Sequence, residues 1–383
     1  MLGAGTLAQG AAAVLIHGPA FLIPALVQRE GLTLAQAGVV AAAPTVGVML
    51  ALVAWGALAD RRGERLVLLL GVGAATALGA LALLARGPVA LSAALFVAGA
   101  AAACTNSASG RVVVGWFPPH RRGLAMGIRQ MAQPAGVGVA AVSMAVLADR
   151  VSIAAALLVP VVACAVAWVA VALVVLDPPR PERTAATAGS LGNPYRADGY
   201  LARIHAASVL LVVPQFVVWT FALVWLVQDR GWSPAAAGSL VAATQVLGAL
   251  GRIGAGQLSD VVASRMRPLR WVSVAGAVVM GVLALTAGLD LGVSVLVLVL
   301  AAVVTVAPNG LAFTGVAERA GPFWSGRALG LQNTAQYATA SAVPPLAGLA
   351  VTQGGFGLTF ALAAVFPMLA IALVPVRQEQ RLS

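Results

Sequence analysis

The stretch Gly56-Ala57-Leu58-Ala59-Asp60-Arg61-Arg62-Gly63-Glu64-Arg65 gathers Asp60, Arg61, Arg62, Glu64 and Arg65 between two apolar segments. Apolar segments near bilayer-spanning length joined by so short a charged run read as two membrane helices and the tight turn between them. Two hundred residues later the pattern returns as Gly256-Gln257-Leu258-Ser259-Asp260-Val261-Val262-Ala263-Ser264-Arg265. The residues ahead of both copies align without a gap, Thr33 with Ser233 and Gly38 with Gly238. The chain reads as a tandem duplication.

Composition agrees with a membrane chain. Across 383 residues, 61% are apolar and 9% charged, too little polar surface to cover a soluble fold of this size. All 23 basic residues are Arg, and the formal charge of +11 raises the question of a nucleic-acid partner. Most of these arginines flank apolar segments, so they argue topology, and no nucleic acid is expected. Cys104 and Cys164 fall inside apolar segments and read as small packed hydrophobes rather than a disulfide or metal site. The first segment lacks a basic start and matches the seventh in the repeat, so it counts as structure and not as a cleaved signal.

Hydropathy places twelve spans near 6–27, 35–58, 66–85, 89–116, 124–147, 153–176, 201–227, 235–258, 271–289, 292–316, 327–350 and 356–375. The expected fold is an all-α integral membrane protein, twelve transmembrane helices arranged as two six-helix pseudo-symmetric bundles, 1–176 and 201–383. The polar, Pro- and Gly-containing stretch 177–200 is the expected linker between them. One side of the implied topology carries sixteen arginines: Arg61, Arg62, Arg65, Arg121, Arg122, Arg180, Arg183, Arg196, Arg203, Arg265, Arg267, Arg270, Arg319, Arg327, Arg377 and Arg381. The other carries only Arg29, Arg86, Arg150 and Arg230. The positive-inside rule then puts both termini and the linker in the cytoplasm of a multi-pass plasma membrane protein, with a bacterial inner membrane as the default and a monomer expected.

The later part of each half repeats with a three-residue shift. Gly123, Ala125, Gly127, Arg129, Gln130 and Gln133 match Gly326, Ala328, Gly330, Gln332, Asn333 and Gln336, and Asn106 matches Asn309. Parallel six-span repeats are a transporter architecture, with substrate expected at the interface between halves.

Twelve spans, a long loop after the sixth and the Gly-x-x-x-Asp-Arg-x-Gly-x-Arg turn after the second resemble the major facilitator superfamily over essentially the whole chain. The turn matches that family's signature loop at Gly56, Asp60, Arg61, Gly63 and Arg65, with Leu66 where a second basic residue is common. In the second copy Gly256, Asp260 and Arg265 remain, while Val261 and Ala263 replace the Arg and Gly. The resemblance implies a cytoplasmic gate: Asp60 against the amino end of span eleven near Gly326, and Asp260 against the start of span five near Gly123. A carboxylate there meets unpaired amide donors and a positive helix end. The plainer alternative is two helix-end charges in water.

Substrate class is read from ionisable groups inside spans, which are functional candidates by default. Arg252 lies eight residues before Asp260, about 12 Å along the helix at roughly 1.5 Å per residue, too deep for easy access to the cytoplasm. Gln245 shares its face, and Gly248 and Gly256 leave room beside it. The arrangement is similar to span eight of facilitators that carry monocarboxylates, oxalate or formate, and nitrate, which implies an anion-binding arginine. Leu52 stands at the matching position of the first half, so the paired arginines of nitrate carriers are absent. An arginine bonded to carbonyls of a neighbouring helix is the structural alternative.

Arg129 lies nearer a helix end and shares a face with Gln133, which gives spans five and eleven matched polar stripes through Gln332 and Gln336. Arg111 reads as a gate or headgroup contact, with Glu318 as partner. Asn106, Asn309 and His17 are further cavity candidates, His17 with a pKa suited to proton transfer. All twelve acids fall at predicted ends or in loops, which disfavours cationic substrates. The expectation is a secondary active transporter of a small, monocarboxylate-like organic anion, working by alternating access and open to proton coupling, with no cofactor and no metal. Efflux of hydrophobic or zwitterionic compounds is the alternative. It is disfavoured because span four lacks the early arginine, and span five the Gly-Pro pair, of the proton-coupled drug exporters. A receptor without transport activity is more remote, and no enzyme constellation or phosphate loop is present.

Overall fold

The computed structural model describes residues 1–179 and 191–379. Arg180, Glu182 and Arg183 in the middle of the expected linker, and Arg381 in the tail, lie outside the described residues. Within them the regular structure is helical, with no strand. Eleven helical segments are long and apolar enough to cross a membrane, and the last, Ser325–Gln378, takes in both the stretch 327–350 and the stretch 356–375. Inside it the backbone of Gly354 (φ −146°) and Gly355 (φ +73°) is not helical.

The distribution of side chains inverts that of a soluble bundle. Branched aliphatics such as Leu50, Leu84, Val89 and Leu173 are exposed, where lipid tails would cover them, and the helix contacts are made by small residues such as Ala8, Ala12, Ala98 and Ala167. With lipid as apolar as leucine, helices associate by close packing, which small residues permit.

The repeat seen in the sequence is visible in how helices start. The helix α1 (Leu2–His17) continues through a 3-10 turn into α2 (Ile23–Glu30), which ends at Gly31 with φ +66°. Thr33 then caps α3 (Leu34–Arg62): its hydroxyl accepts from the Gln36 amide at 3.2 Å, and its own amide donates to the Gln36 side chain at 3.0 Å. In the second half Gly231 has φ +69°, and Ser233 accepts from the Ala236 amide at 3.3 Å. That pair separates the helices Tyr200–Gln228 and Pro234–Val261.

Several spans are interrupted. α4 (Glu64–Ala82) is unbroken, α5 (Gly87–Ala102) gives way to α6 (Cys104–Trp116) at Ala103, and α7 (Pro119–Gln130) to α8 (Ala132–Arg150) at Met131. α9 (Ile153–Val174), α10 (Tyr200–Gln228), α11 (Pro234–Val261) and α12 (Met266–Gly288) follow, then α13 (Ser294–Val306) and α14 (Pro308–Ala320) on either side of Ala307, and α15 (Ser325–Leu373). Pro134 and Pro308 sit in the first turn of the helix after a break, where the backbone N–H has no partner within the helix to lose.

Two compact units result. The first contains Met1–Phe117, Met131–Gly192 and Ala320–Thr334; the second contains Pro118–Gln130, Asn193–Arg319 and Ala335–Ser383. Each therefore takes in a short piece of the other half's sequence, and the two pieces are those that the repeat matches, Gly123 with Gly326. In the first unit a Cβ on Gly56 would lie 2.2 Å from the Gly326 carbonyl oxygen, and one on Gly330 2.7 Å from that of Leu52. In the second a Cβ on Gly256 would lie 2.2 Å from the Gly123 oxygen, and one on Gly127 2.7 Å from that of Arg252. Only glycine lets the backbones approach this closely. The first unit's apolar core includes Leu22, Leu26, Val40, Leu95 and Met144. The second centres on Trp225, edge-on to Phe360 at 5.9 Å, with Met280 and Leu283.

Candidate functional site

Arg252 projects from α11 and is 3% exposed. Its Nη1 donates to the carbonyl oxygen of Gln130 at 2.8 Å, and its Nε to that of Val306 at 3.4 Å. The guanidinium carbon lies 6.0 Å from the centre of the Trp219 ring. Both carbonyls belong to residues that end a helix at an interruption. That of Gln130 lacks a helical donor because the residue four places on, Pro134, has no N–H. The chain thus builds an acceptor for the guanidinium by breaking span five. Among the described residues Arg252 has no carboxylate partner, and carbonyl dipoles do not neutralise a full positive charge.

Arg129, on α7 in the same unit, is 2% exposed, and its Nη1 donates to the side-chain oxygen of Gln130 at 3.2 Å. Gln130 therefore receives Arg252 on its main chain and Arg129 on its side chain. Gln245 is half-buried on α11. Gly248 and Gly256, expected to leave room beside Arg252, are instead occupied by packing, with a Cβ on Gly248 only 3.1 Å from Val306. In the first unit the Leu52 carbonyl, at the position matching Arg252, accepts from the Ser107 hydroxyl at 2.9 Å.

Buried amides form a matched pair of contacts. In the first unit Gln9 Nε2 donates to Asn106 Oδ1 at 3.0 Å; in the second Asn309 Nδ2 donates to Gln215 Oε1 at 3.0 Å. Gln336 Nε2 approaches Asn309 Oδ1 at 3.5 Å, and Gln133 Nε2 lies 3.4 Å from His17 Nε2. Gln332 is buried, and its neighbour Asn333 donates to the Leu329 carbonyl at 2.9 Å. The sequence did not single out Gln9. Its signal was the lone amide in an Ala- and Gly-rich first span, six residues out of register with Gln215.

At the arginine-rich end each unit carries a carboxylate clasp. Asp60 Oδ1 accepts from the Gly326 amide at 2.8 Å, and Oδ2 from the Arg327 amide at 3.0 Å and Arg327 Nε at 2.9 Å. Arg111 Nη1 lies 2.7 Å from Asp60 and its Nε 2.7 Å from Glu64, while its Nη2 donates to the Pro322 carbonyl at 2.6 Å. Asp60 and Glu64 are essentially inaccessible, with side-chain exposure of 0%. Gly63 (φ +101°) turns the chain, and the Arg65 amide donates to Asp177 at 2.8 Å. Arg61 is exposed.

In the second unit Asp260 accepts from the Gly123 amide at 3.0 Å and the Leu124 amide at 2.8 Å. Arg265 binds Asp260 at 2.5 Å and Glu318 at 3.2 Å, and Arg122 reaches Glu318 at 3.5 Å. Burial works against the Arg265 charge, but Glu318 and Asp260 outweigh it and hold its pKa above the ordinary arginine value. The missing Arg and Gly of the second copy are thus compensated by Arg265 folding back onto Asp260. Glu379 accepts from the amides of Arg265 at 2.5 Å and Met266 at 3.0 Å, as Asp177 does from Arg65 in the first unit.

A model of the Major Facilitator Superfamily matches residues 5–344. A Mycobacterium tuberculosis (strain ATCC 25618 / H37Rv) protein described as uncharacterized MFS-type transporter Rv2994 is 46% identical over 364 residues, 95% of this chain and 82% of that protein. Among solved structures, the E. coli fucose:proton symporter FucP aligns with a TM-score of 0.79 at 14% identity, covering 99% of this chain and 98% of that one. The human organic anion transporter MFSD10 aligns with a TM-score of 0.73 at 16% identity, covering 97% of each chain. At such identities the two structures bear on the fold alone.

Proposed function

Because the chain belongs to the Major Facilitator Superfamily, we propose that the secondary transport it performs is that of a small organic anion of the monocarboxylate type. The protein is a multi-pass membrane transporter, not an enzyme. The observation that supports the anion is Arg252: a buried guanidinium whose hydrogen-bond partners among the described residues are two carbonyls, with its positive charge unneutralised. A carboxylate matches the donor fork and supplies the missing charge. Arg129, joined to Arg252 through Gln130, adds a second positive group, and Gln245, Gln133, Gln332, Gln336, Asn106, Asn309 and His17 are the polar groups proposed to complete recognition. A structure of the same fold is named an organic anion transporter and another a fucose:proton symporter, which suits an anion accompanied by a proton. Substrate and proton crossing as a neutral pair require no carboxylate in mid-membrane.

In this reading the arms of Ser325–Leu373 on either side of Gly354 and Gly355 are separate spans, which makes twelve in two bundles of six, with the bundles 1–176 and 201–383 joined by the loop 177–200. The termini and the arginine-rich end lie in the cytoplasm, and a bacterial inner membrane is the site of action. The clasps of Asp60 on Gly326 and Asp260 on Gly123 exist in one transport state and open in the other, so their differential contacts set the balance between states. Gly56, Arg61, Gly63, Arg65, Arg111, Arg265 and Glu318 support them.

Export of lipophilic compounds competes, favoured by an apolar cavity of about 510 Å³ in the second unit lined by Val213, Val217, Val343, Leu346 and Phe366. Uptake of radiolabelled monocarboxylates into proteoliposomes under an imposed proton gradient separates the two. Saturable uptake that Arg252→Ala abolishes and Arg252→Lys partly retains supports the anion carrier. Equal uptake by wild type and Arg252→Ala overturns it.

A further inference from the structure

Three arginines from three helical segments face one cleft of about 300 Å³ in the second unit. Arg203 comes from the first turn of α10, Arg270 from the start of α12, and Arg377 from the 3-10 turn Val376–Gln378 after α15; Ile371, Val374 and Val376 form apolar wall. The positions follow from local chemistry. α15 stops before Pro375, which offers no donor to the turn behind it, and the last helical carbonyls are left open. Arg203 fills two of them, Nε on Leu373 at 3.0 Å and Nη2 on Ala372 at 2.9 Å. This pins one guanidinium at the rim.

Arg270 and Arg377 are exposed, and among the described residues neither has a side-chain hydrogen bond or ion pair. No carboxylate lines the cleft among the described residues. Glu379, two residues beyond Arg377, is committed to the Ser264 hydroxyl and the amides of Arg265 and Met266. Three like charges around one cleft repel one another unless an anion sits among them.

The membrane context says which anion. Arg270 lies four residues into the span that starts at Met266, and the adjoining Trp271 is 51% exposed. An exposed Trp beside Arg at a span's end marks the headgroup level of the bilayer. One turn deeper, Met368 and Leu369 of α15 are exposed and offer an apolar track leading away from the cleft. We propose that the cleft formed by Arg203, Arg270 and Arg377 binds the phosphodiester headgroup of an anionic phospholipid, whose acyl chains lie along Met368 and Leu369. Phosphate is the shared chemistry of lipid and free phosphate ester, but the apolar track distinguishes the lipid. Zwitterionic lipids bring an ammonium group that the arginines disfavour.

The site is independent of the transported substrate. Its test uses the full chain, delipidated in detergent, titrated at fixed salt with phosphatidylglycerol, phosphatidylcholine, or inorganic phosphate, and followed by thermal unfolding and native mass spectrometry. Arg203 is left in place because it also holds α15. Phosphatidylglycerol should raise the unfolding temperature and remain bound, and the double variant Arg270→Gln/Arg377→Gln should bind it on the order of 30-fold more weakly, roughly fivefold per guanidinium. The variant's unfolding temperature without lipid should equal that of wild type. Unchanged phosphatidylglycerol affinity in the variant, equal stabilisation by phosphatidylcholine, or equal stabilisation by inorganic phosphate would each overturn the proposal.

Discussion

Arg252 donates through Nη1 to the Gln130 carbonyl at 2.8 Å, and that carbonyl is the one whose helical donor Pro134 removes. A buried charge is therefore seated at the break in span five, on an acceptor that the proline leaves open. Pro134→Ala supplies an N–H that competes for the Gln130 oxygen and lets α7 run on into α8. The expected result is an unfolding temperature that holds or rises, because proline is a poor helix residue, together with a transport rate about tenfold lower, equivalent to about 1.4 kcal/mol. A wild-type rate would show that the break does not matter for transport.

Asp60 receives two amides and two guanidinium groups, whereas Asp260 receives two amides and one. The asparagine variants lose the charge that strengthens each bond, at about 1.5–3 kcal/mol for a hydrogen bond to a charged group. Asp60→Asn should therefore lower transport more than Asp260→Asn, with both proteins still reaching the membrane. Reversal of that order in proteoliposome rates would show that the number of clasp contacts does not govern gating.

Gly56 and Gly326 face each other backbone to backbone, and a Cβ on either would lie within 2.4 Å of the other's carbonyl oxygen. Gly56→Ala should cost about 1–3 kcal/mol through overpacking, read as a lower unfolding temperature or as a shift away from the clasped state. Gly281, with nothing within 4 Å of the added carbon, is the control. Its alanine variant should be neutral or stabilised by up to about 1 kcal/mol. Equal behaviour of the two would remove close approach as the explanation.

Much of this was legible in the sequence because membrane helices are uniform: the stretch 153–176 corresponds to α9, Ile153–Val174. The family resemblance put Asp60 near Gly326, whose amide donates to its carboxylate. Hydropathy averages over a window, so it did not reveal the interruptions at Ala103, Met131 and Ala307. Those breaks decide where Arg252 finds its acceptors. Contacts at long sequence separation were equally hidden: Trp219 under Arg252, Arg111 bridging Asp60 and Glu64, and Glu379 on the start of α12. Gln9 escaped notice because one amide in a small-residue helix has no periodicity, and only its 3.0 Å bond to Asn106 reveals it.

Arg265 is held above its ordinary pKa by Glu318 and Asp260 against the effect of burial. A raised pKa contributes stability that is full below the unfolded value and lost only as pH climbs through the still higher folded one. Between about pH 6 and pH 9 the contribution is therefore constant. Glu318→Gln should lower the unfolding temperature by the same margin throughout that window, since Arg265 keeps its charge and loses part of its counter-charge. A margin that changes with pH would place a different titrating group in the network.

The most direct test of anion recognition is ligand-induced stabilisation of the purified protein by a panel of small carboxylates at fixed pH and ionic strength, in wild type and Arg252→Ala. The account predicts that one or more carboxylates raise the wild-type unfolding temperature, by about 2.7 kcal/mol of linkage at a hundredfold excess over Kd, and leave the variant unchanged. Stabilisation by carboxylates in both proteins, or by lipophilic compounds alone, would contradict it and return Arg252 to a purely structural place at the break in span five.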